Sequence, residues 1–181
     1  MSVELSPIIA GVMNWGVWDK NLNTNEFTHL INLFIENGIT TFDHADIYGG
    51  YTTEASFGKA FSESKIDRKK IQLITKCGIQ YVSENRPNNS IKHYEYSKDY
   101  IIWSAENSLK NLQTDYLDVF LLHRPSPLMQ ADEIAEAVSK LKADGKILSF
   151  GVSNFTSSQT ELLRQKTEIS FNQVQFSATH H

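Results

Sequence analysis

The chain has 181 residues, 40% of them hydrophobic and 21% charged, with a formal net charge of −4 at pH 7. This is the composition of an ordinary soluble domain with one sizeable core, and its mildly acidic balance offers no large attraction for nucleic acid or an anionic membrane. Cys77 is the sole cysteine, which excludes an intrachain disulfide and fits a reducing compartment. The opening stretch MSVELSPIIAGVMNW lacks a basic region followed by an apolar one, and no run reaches membrane-spanning length. One cytoplasmic domain over residues 1–181 is therefore expected.

In chain order, a strand is predicted over 7–15 (PIIAGVMNW). A helix follows in which Phe27, Leu30, Ile31, Phe34 and Ile35 form one apolar stripe, with Thr24 as N-cap and Gly38 as the stop. Strands at 39–45 (ITTFDHA) and 70–78 (KIQLITKCG) come next. The polar stretch 78–97, broken by Pro and Asn, extends neither strand nor helix and has the length of a functional or disordered connection. Ser97 caps a second striped helix (Ile101, Ala105, Leu109, Leu112), which leads to a strand at 116–123 (YLDVFLLH). A third stripe (Ile134, Ala137, Val138, Leu141) ends at Gly145 before a strand at 147–154. Thr156 and Gln159 have capping-box spacing ahead of Leu162 and Leu163, and a sixth strand is predicted at 169–176.

Strands that alternate with helices and read as continuous apolar runs belong to a parallel sheet buried on both faces. Two α/β architectures satisfy this, a (β/α)8 barrel of the TIM type and an open doubly wound sheet. Neither a dinucleotide-binding glycine fingerprint nor a phosphate-binding GxxxxGK[ST] loop is present, which favours the barrel.

In either architecture ligands bind at the carboxyl ends of the strands. Those ends carry Asp43, His44, Asp46 and Tyr48 after the second strand, Lys76 on the third, His123 and Arg124 on the fourth, Ser153 and Asn154 on the fifth, and Asn172, Gln173 and Gln175 on the sixth. Each has a plain structural explanation when taken alone: a solvated lysine, a hydrogen-bonded histidine, a turn aspartate, a packed tyrosine. A lysine and a histidine that both terminate very apolar strands are harder to dismiss, because charge there is costly unless paired. An ion pair between Lys76 and Asp43 would relieve that cost. If Tyr48 and His123 share the same pocket, the ammonium is expected to lower the tyrosine pKa and make it a proton donor, while a neutral imidazole binds a carbonyl oxygen. Such a set suits carbonyl reduction.

At these residues the chain resembles an aldo-keto reductase, of a bacterial oxidoreductase branch. The resemblance rests on FDHADIYGG, LITKCG, LLHRP, GKILSFGVSNF and NQVQFS, in that order. It implies a (β/α)8 barrel that binds NADPH, or alternatively NADH, and transfers hydride reversibly to an aldehyde or ketone. Tyr48 would be the general acid, Lys76 and Asp43 its tuning pair, and His123 the carbonyl-orienting group. Gly11, Val12, Met13 and Asn14 would lie beside the cofactor together with Asp43, and Ser153, Asn154 and Gln173 would hold the nicotinamide carboxamide. The implied partner is a small carbonyl substrate; no nucleic acid, membrane or metal is expected. His44 and Asp46 are read as family sequence.

A complete barrel of this type takes about 250 residues, whereas this sequence reaches six strands. The expectation is an incomplete barrel that lacks the loop gripping the adenosine 2′-phosphate and the aromatic stacked on nicotinamide, with self-association through exposed strand edges as a further possibility. His180 and His181 are read as native residues or the start of a tag. Two other functions compete: a non-catalytic cofactor-sensing or scaffold protein on the same fold, and a metal-dependent hydrolase using His44, Asp46 and His123. Trp15, Trp18, Tyr51, Tyr81, Tyr94 and Tyr96 are candidates for an aromatic wall around the pocket, and 78–97 for a lid.

Overall fold

A computed structural model describes residues 3–177 and residue 179, so the two C-terminal histidines lie outside the described residues. The elements are β1 (Ile9–Gly11), α1 (Thr24–Glu36), β2 (Thr41–Asp43), α2 (Tyr48–Tyr51), α3 (Thr53–Ser64), β3 (Gln72–Cys77), β4 (Ile79–Gln80), β5 (His93–Tyr94), α4 (Lys98–Leu112), β6 (Leu117–Leu122), α5 (Ala131–Ala143), β7 (Ile147–Ser153), α6 (Ser157–Arg164) and β8 (Phe171–Gln173). Six parallel strands form one sheet in the order β1-β2-β3-β6-β7-β8. Each strand thus pairs with its neighbour along the chain. A doubly wound sheet reverses direction at a switch point, and this one does not. The sheet is a curled, incomplete barrel with helices on its outer face.

Side-chain alternation along the strands sorts the residues into two layers. Phe42, Leu73, Cys77, Phe120, Leu122, Phe150 and Val152 point outward and join Phe27, Ile31, Phe57, Ile101, Ile134 and Leu163 of the helices in the main core. Ile74, Val119 and Leu121 have the opposite parity and form a smaller inner cluster with Val3, Leu5 and Phe171. The strand-end residues Asp43, Lys76, His123, Ser153 and Gln173 continue that inner parity. Alternation alone therefore aims them into the mouth of the barrel.

Local signals place most boundaries. Ser97 caps α4, and Thr156 forms the capping box with Gln159 at α6. Gly38 and Gly145 follow the helix ends at φ +77° and +71°. At α1 the cap is Asn23 rather than Thr24: its side chain accepts from the Glu26 N–H at 3.1 Å while Glu26 reaches back to the Asn23 N–H at 2.7 Å. Asn in this reciprocal pair satisfies two free donors at once, which Thr24, one residue further in, is not placed to do.

Two elements depart from expectation. The stretch 78–97 is not without structure, since β4 and β5 pair antiparallel through Ile79↔Tyr94 and Gln80↔His93. Helix α3 carries no continuous apolar stripe because its buried face mixes Phe57, Ala60 and Phe61 with Thr53, Glu54 and Gly58. There, a Cβ on Gly58 would sit 2.1 Å from the Asn111 carbonyl oxygen of α4, so the two helices meet backbone to backbone. Among the described residues no helix is long and apolar enough to cross a membrane.

Candidate active site

Tyr48 owes its position to two consecutive turns. Its N–H donates to the Ala45 carbonyl at 3.1 Å, and the next two residues, Gly49 and Gly50, take left-handed φ of +59° and +66°, a conformation that costs glycine little. The chain thereby doubles back directly after the phenol and points it over the strand ends.

Lys76, at the end of β3, is 2% exposed. Its ammonium donates to Asp43 Oδ1 and Oδ2 (2.7 and 2.8 Å), to the His44 carbonyl (2.8 Å) and to the Tyr48 hydroxyl oxygen (3.3 Å). An ammonium has three protons; with one for the carboxylate and one for the carbonyl, the third is left for Tyr48. The phenol oxygen is then an acceptor toward Lys76, and its own proton is free to face the cleft. The ion pair expected from sequence is present.

The expected lowering of the Tyr48 pKa is not. Burial, followed by the negative charges of Asp43 and Asp46, holds the Tyr48 hydroxyl above its ordinary range. The ammonium is neutralised at close range by Asp43, so little positive field reaches the phenol. Burial likewise pulls Lys76 below its usual value, against the opposing effect of Asp43. Tyr48 is therefore a protonated phenol at neutral pH, able to donate but not to ionise on its own.

His123 follows β6, its N–H bonded to the Cys77 carbonyl at 2.9 Å. Its ring centroid lies 6.1 Å from that of Tyr48 in an edge-on arrangement. Burial, then the Lys76 and Arg124 cations, lower its pKa to about 3, so the imidazole is neutral. On the far side Ser153 and Gln173 are register partners. Asn154, at φ +62°, donates from its N–H to the Gln173 carbonyl at 2.8 Å and from its side-chain amide to the Ser153 hydroxyl at 2.8 Å.

These groups line one cleft of about 450 Å³, with Met13, Trp18, Ile47, Ile79, Arg124, Val174 and Gln175 completing its wall. Gly11, Met13 and Asn14 border an adjoining hollow. Val12 is fully buried on the helix side, so its side chain faces away from the cleft. The aromatic wall is smaller than expected. Trp18 stands between Tyr48 (6.1 Å) and Tyr81 (6.2 Å), whereas Trp15 is a core residue packed on Phe27 and Phe34.

His44 and Asp46 do not join His123. The His44 ring lies edge-on to Phe57 at 4.5 Å on the outer side of the sheet, and among the described residues no His, Cys, Asp and Glu side chains cluster in a metal-binding arrangement. Sequence reasoning missed Ile47 and Ile79 in the cleft wall. Ile79 enters it only because of the β4–β5 hairpin, which composition did not signal.

A family model described as Aldo/keto reductase family matches residues 7–181. The chain is 46% identical over 178 residues to the uncharacterized oxidoreductase YcsN of Bacillus subtilis, covering 97% of this chain and 59% of that protein. It is 37% identical over 177 residues to a 6-dehydroglucose reductase of Agrobacterium fabrum, covering 97% of this chain and again 59% of the relative. Among solved structures, the glycerol dehydrogenase AKR11B4 from Gluconobacter oxydans superposes with a TM-score of 0.81 at 28% identity, covering 94% of this chain and 51% of that one. The chain thus spans a little over half the length of these three proteins.

Proposed function

Because this chain belongs to the aldo/keto reductase family, we propose that its strand-end cleft binds a nicotinamide dinucleotide, NADPH in the first instance, and reduces the carbonyl of a small aldehyde or ketone. The observation that carries this reading is the hydrogen-bonded set Asp43–Lys76–Tyr48 facing a neutral His123 across one cleft.

The residues present fit the cofactor. A carboxamide requires donors and acceptors side by side, and Ser153, Asn154 and Gln173 provide both on adjacent strands. Asp43 closes the opposite wall, with the backbone from Gly11 to Asn14 next to it. Bound there, the dinucleotide would supply hydride to the carbonyl carbon.

The protein's part is to handle the oxygen. His123 holds the carbonyl oxygen as a neutral hydrogen-bond donor, and Tyr48 gives its proton to that oxygen as negative charge builds. A phenol held above its ordinary pKa is a poor acid toward water but still a far stronger acid than an alcohol. Lys76 stabilises the tyrosinate left behind through the hydrogen bond it already donates, and Asp43 keeps Lys76 in place. Regeneration of Tyr48 by water completes the cycle.

The Arg124 guanidinium stands on the rim of a cleft whose other charges are paired or absent. Hydroxyl-rich carbonyl compounds are the proposed substrate class, in keeping with relatives named for 6-dehydroglucose and glycerol.

The test is NADPH and NADH binding to the 181-residue chain, followed by NADPH consumption with small aldehydes and hydroxyketones. Tyr48→Phe is expected to reduce turnover by about 10²-fold or more with cofactor affinity unchanged. Turnover equal to the parent would overturn the role of Tyr48, and absence of cofactor binding by the parent would overturn the reading for this chain.

A further inference from the structure

Behind the cleft lies a second group of buried ionisable side chains that carbonyl reduction does not use. Asp46 is 3% exposed and belongs to the turn that presents Tyr48. Its N–H donates to the Lys76 carbonyl at 3.0 Å. Across the sheet–helix layer its Oδ2 accepts from the hydroxyls of Tyr100 (3.1 Å) and Ser104 (3.3 Å) on α4, while Oδ1 has no partner.

From Tyr100 the hydrogen bonds run on into the hairpin. The Tyr100 hydroxyl accepts from the Gln80 side-chain amide on β4. Gln80 Oε1 accepts from the Asn89 amide at 3.0 Å, and that amide also donates to the Tyr81 carbonyl at 3.2 Å. Asn89 thus donates to Gln80, Gln80 to Tyr100 and Tyr100 to Asp46. The hairpin is also tied to the turn directly: the Tyr81 N–H donates to the Tyr51 hydroxyl at 3.1 Å, and the Asn85 amide to the Gly50 carbonyl at 2.8 Å. Asp46, in the turn that carries Tyr48, and the hairpin therefore hold the two ends of one network.

We propose that Asp46 is a positioning residue: through Tyr100 and Gln80 it fastens the β4–β5 hairpin to the turn that carries Tyr48, with a strength that depends on pH. This concerns how the hairpin is held, and stands whether or not Tyr48 is the catalytic acid.

The surroundings give the direction of the effect. Burial and then the Glu54 carboxyl of α3 push Asp46 up to about 7, against the hydrogen bonds from Tyr100 and Ser104. The remaining groups that face it are Lys76, already paired with Asp43, and the Cys77 thiol on β3, the phenols of Tyr48 and Tyr51 on α2, and those of Tyr96 and Tyr100 beside α4. None of them supplies a free positive charge. With the hairpin loosened, water reaches the carboxyl and its pKa returns toward about 3.9. The fastened state then binds the proton more tightly than the loosened one. Its advantage is full below about pH 4, declines as pH rises to about 7 and is constant above.

Amide hydrogen exchange on the 181-residue chain, corrected for the intrinsic pH dependence, tests this. Between pH 5 and 7.5 the protection of hairpin amides such as Tyr81 and Asn89 is expected to fall at least about tenfold, while β6 amides hold steady. Asp46→Asn keeps the acceptor without the proton, so its hairpin should stay protected with little pH dependence. Tyr100→Phe, which preserves volume, should lower hairpin protection at both pH values and serves as the check should Asp46→Asn fail to fold. A pH response in Asp46→Asn equal to the parent's would overturn the proposal. So would loss of β6 protection in step with the hairpin, or unchanged protection in Tyr100→Phe.

Discussion

His44 presents two ring nitrogens, both buried and neither hydrogen-bonded. Burial, then the Lys76 charge, lower its pKa to about 3, so in the folded chain it is neutral where the unfolded chain would begin to protonate. The unfolded state binds more protons between about pH 6.5 and pH 3; the stability contributed by a neutral His44 is present above about 6.5 and is lost as pH falls through that window. Asp46 and Glu54, both raised by burial, act in the opposite sense, so the net profile of the parent mixes the two. His44→Phe isolates the first: packed against Phe57, it should flatten the acid loss by about 3 kcal/mol between pH 7 and pH 4, read as the difference in unfolding free energy from the parent. An identical slope in parent and variant would assign the acid sensitivity elsewhere. Residue identities at the site were largely legible, because Asp43, Lys76 and His123 each terminate an apolar strand. Their electrostatics were not. Whether Lys76 acidifies Tyr48 depends on how closely Asp43 neutralises it, a distance that spacing along the chain does not contain.

At the scale of elements, the end of the sheet opposite the cleft is fastened by one side chain. Arg68, in the turn before β3, donates to Asp118 Oδ2 (2.6 Å), the Tyr116 carbonyl (2.9 Å), the Ile71 carbonyl (2.9 Å) and the Thr114 hydroxyl (2.8 Å). The same carboxylate oxygen accepts from the Leu73 N–H at 2.8 Å, so β3 and β6 share an anchor outside their ladder. Removing the guanidinium leaves Asp118, 6% exposed, without its counter-charge. Arg68→Ala is expected to destabilise the chain by about 3 kcal/mol, measurable by denaturant unfolding; a loss below about 1 kcal/mol would mean that water replaces the guanidinium. Element signals divide along the same line as those of the residues. Capping boxes and apolar stripes are local and could be read. Helix α3 could not, because its buried face interrupts Phe57, Ala60 and Phe61 with Thr53, Glu54 and Gly58, whose logic lies in what α4 and β3 place opposite them: Thr75 donates to Glu54 at 2.6 Å and Asn111 at 3.4 Å. The β4–β5 hairpin was equally silent, resting on contacts to Gly50, Tyr51 and Tyr100 remote in sequence.

For the whole molecule, a curled sheet of six strands has two edges, β1 and β8. Their outer backbone groups are unpaired by any described strand, and Val174 and Phe176 beyond β8 are 55% and 84% exposed. Exposed edges next to apolar side chains favour pairing with another chain. We expect the 20.6 kDa chain to sediment as a heavier species that dissociates on dilution, with a charged substitution at Phe176 shifting it toward monomer. A concentration-independent monomer would show that the edges are tolerated in water. That the strands form an incomplete barrel was readable from the βα alternation and from the absence of phosphate-binding glycine loops, and the uninterrupted strand order bears it out.

That strand order has a consequence for how the molecule assembles. Every ladder of the six-stranded sheet joins a strand to the preceding strand of that sheet, so each βα unit docks on a template already formed and closes only a limited span of chain. Asp43, Tyr48, Lys76 and His123 arise from three successive units of this series. A nascent chain would thus bring these four residues together once its first four sheet strands, β1, β2, β3 and β6, have docked, with β7 and β8 arriving onto a finished floor.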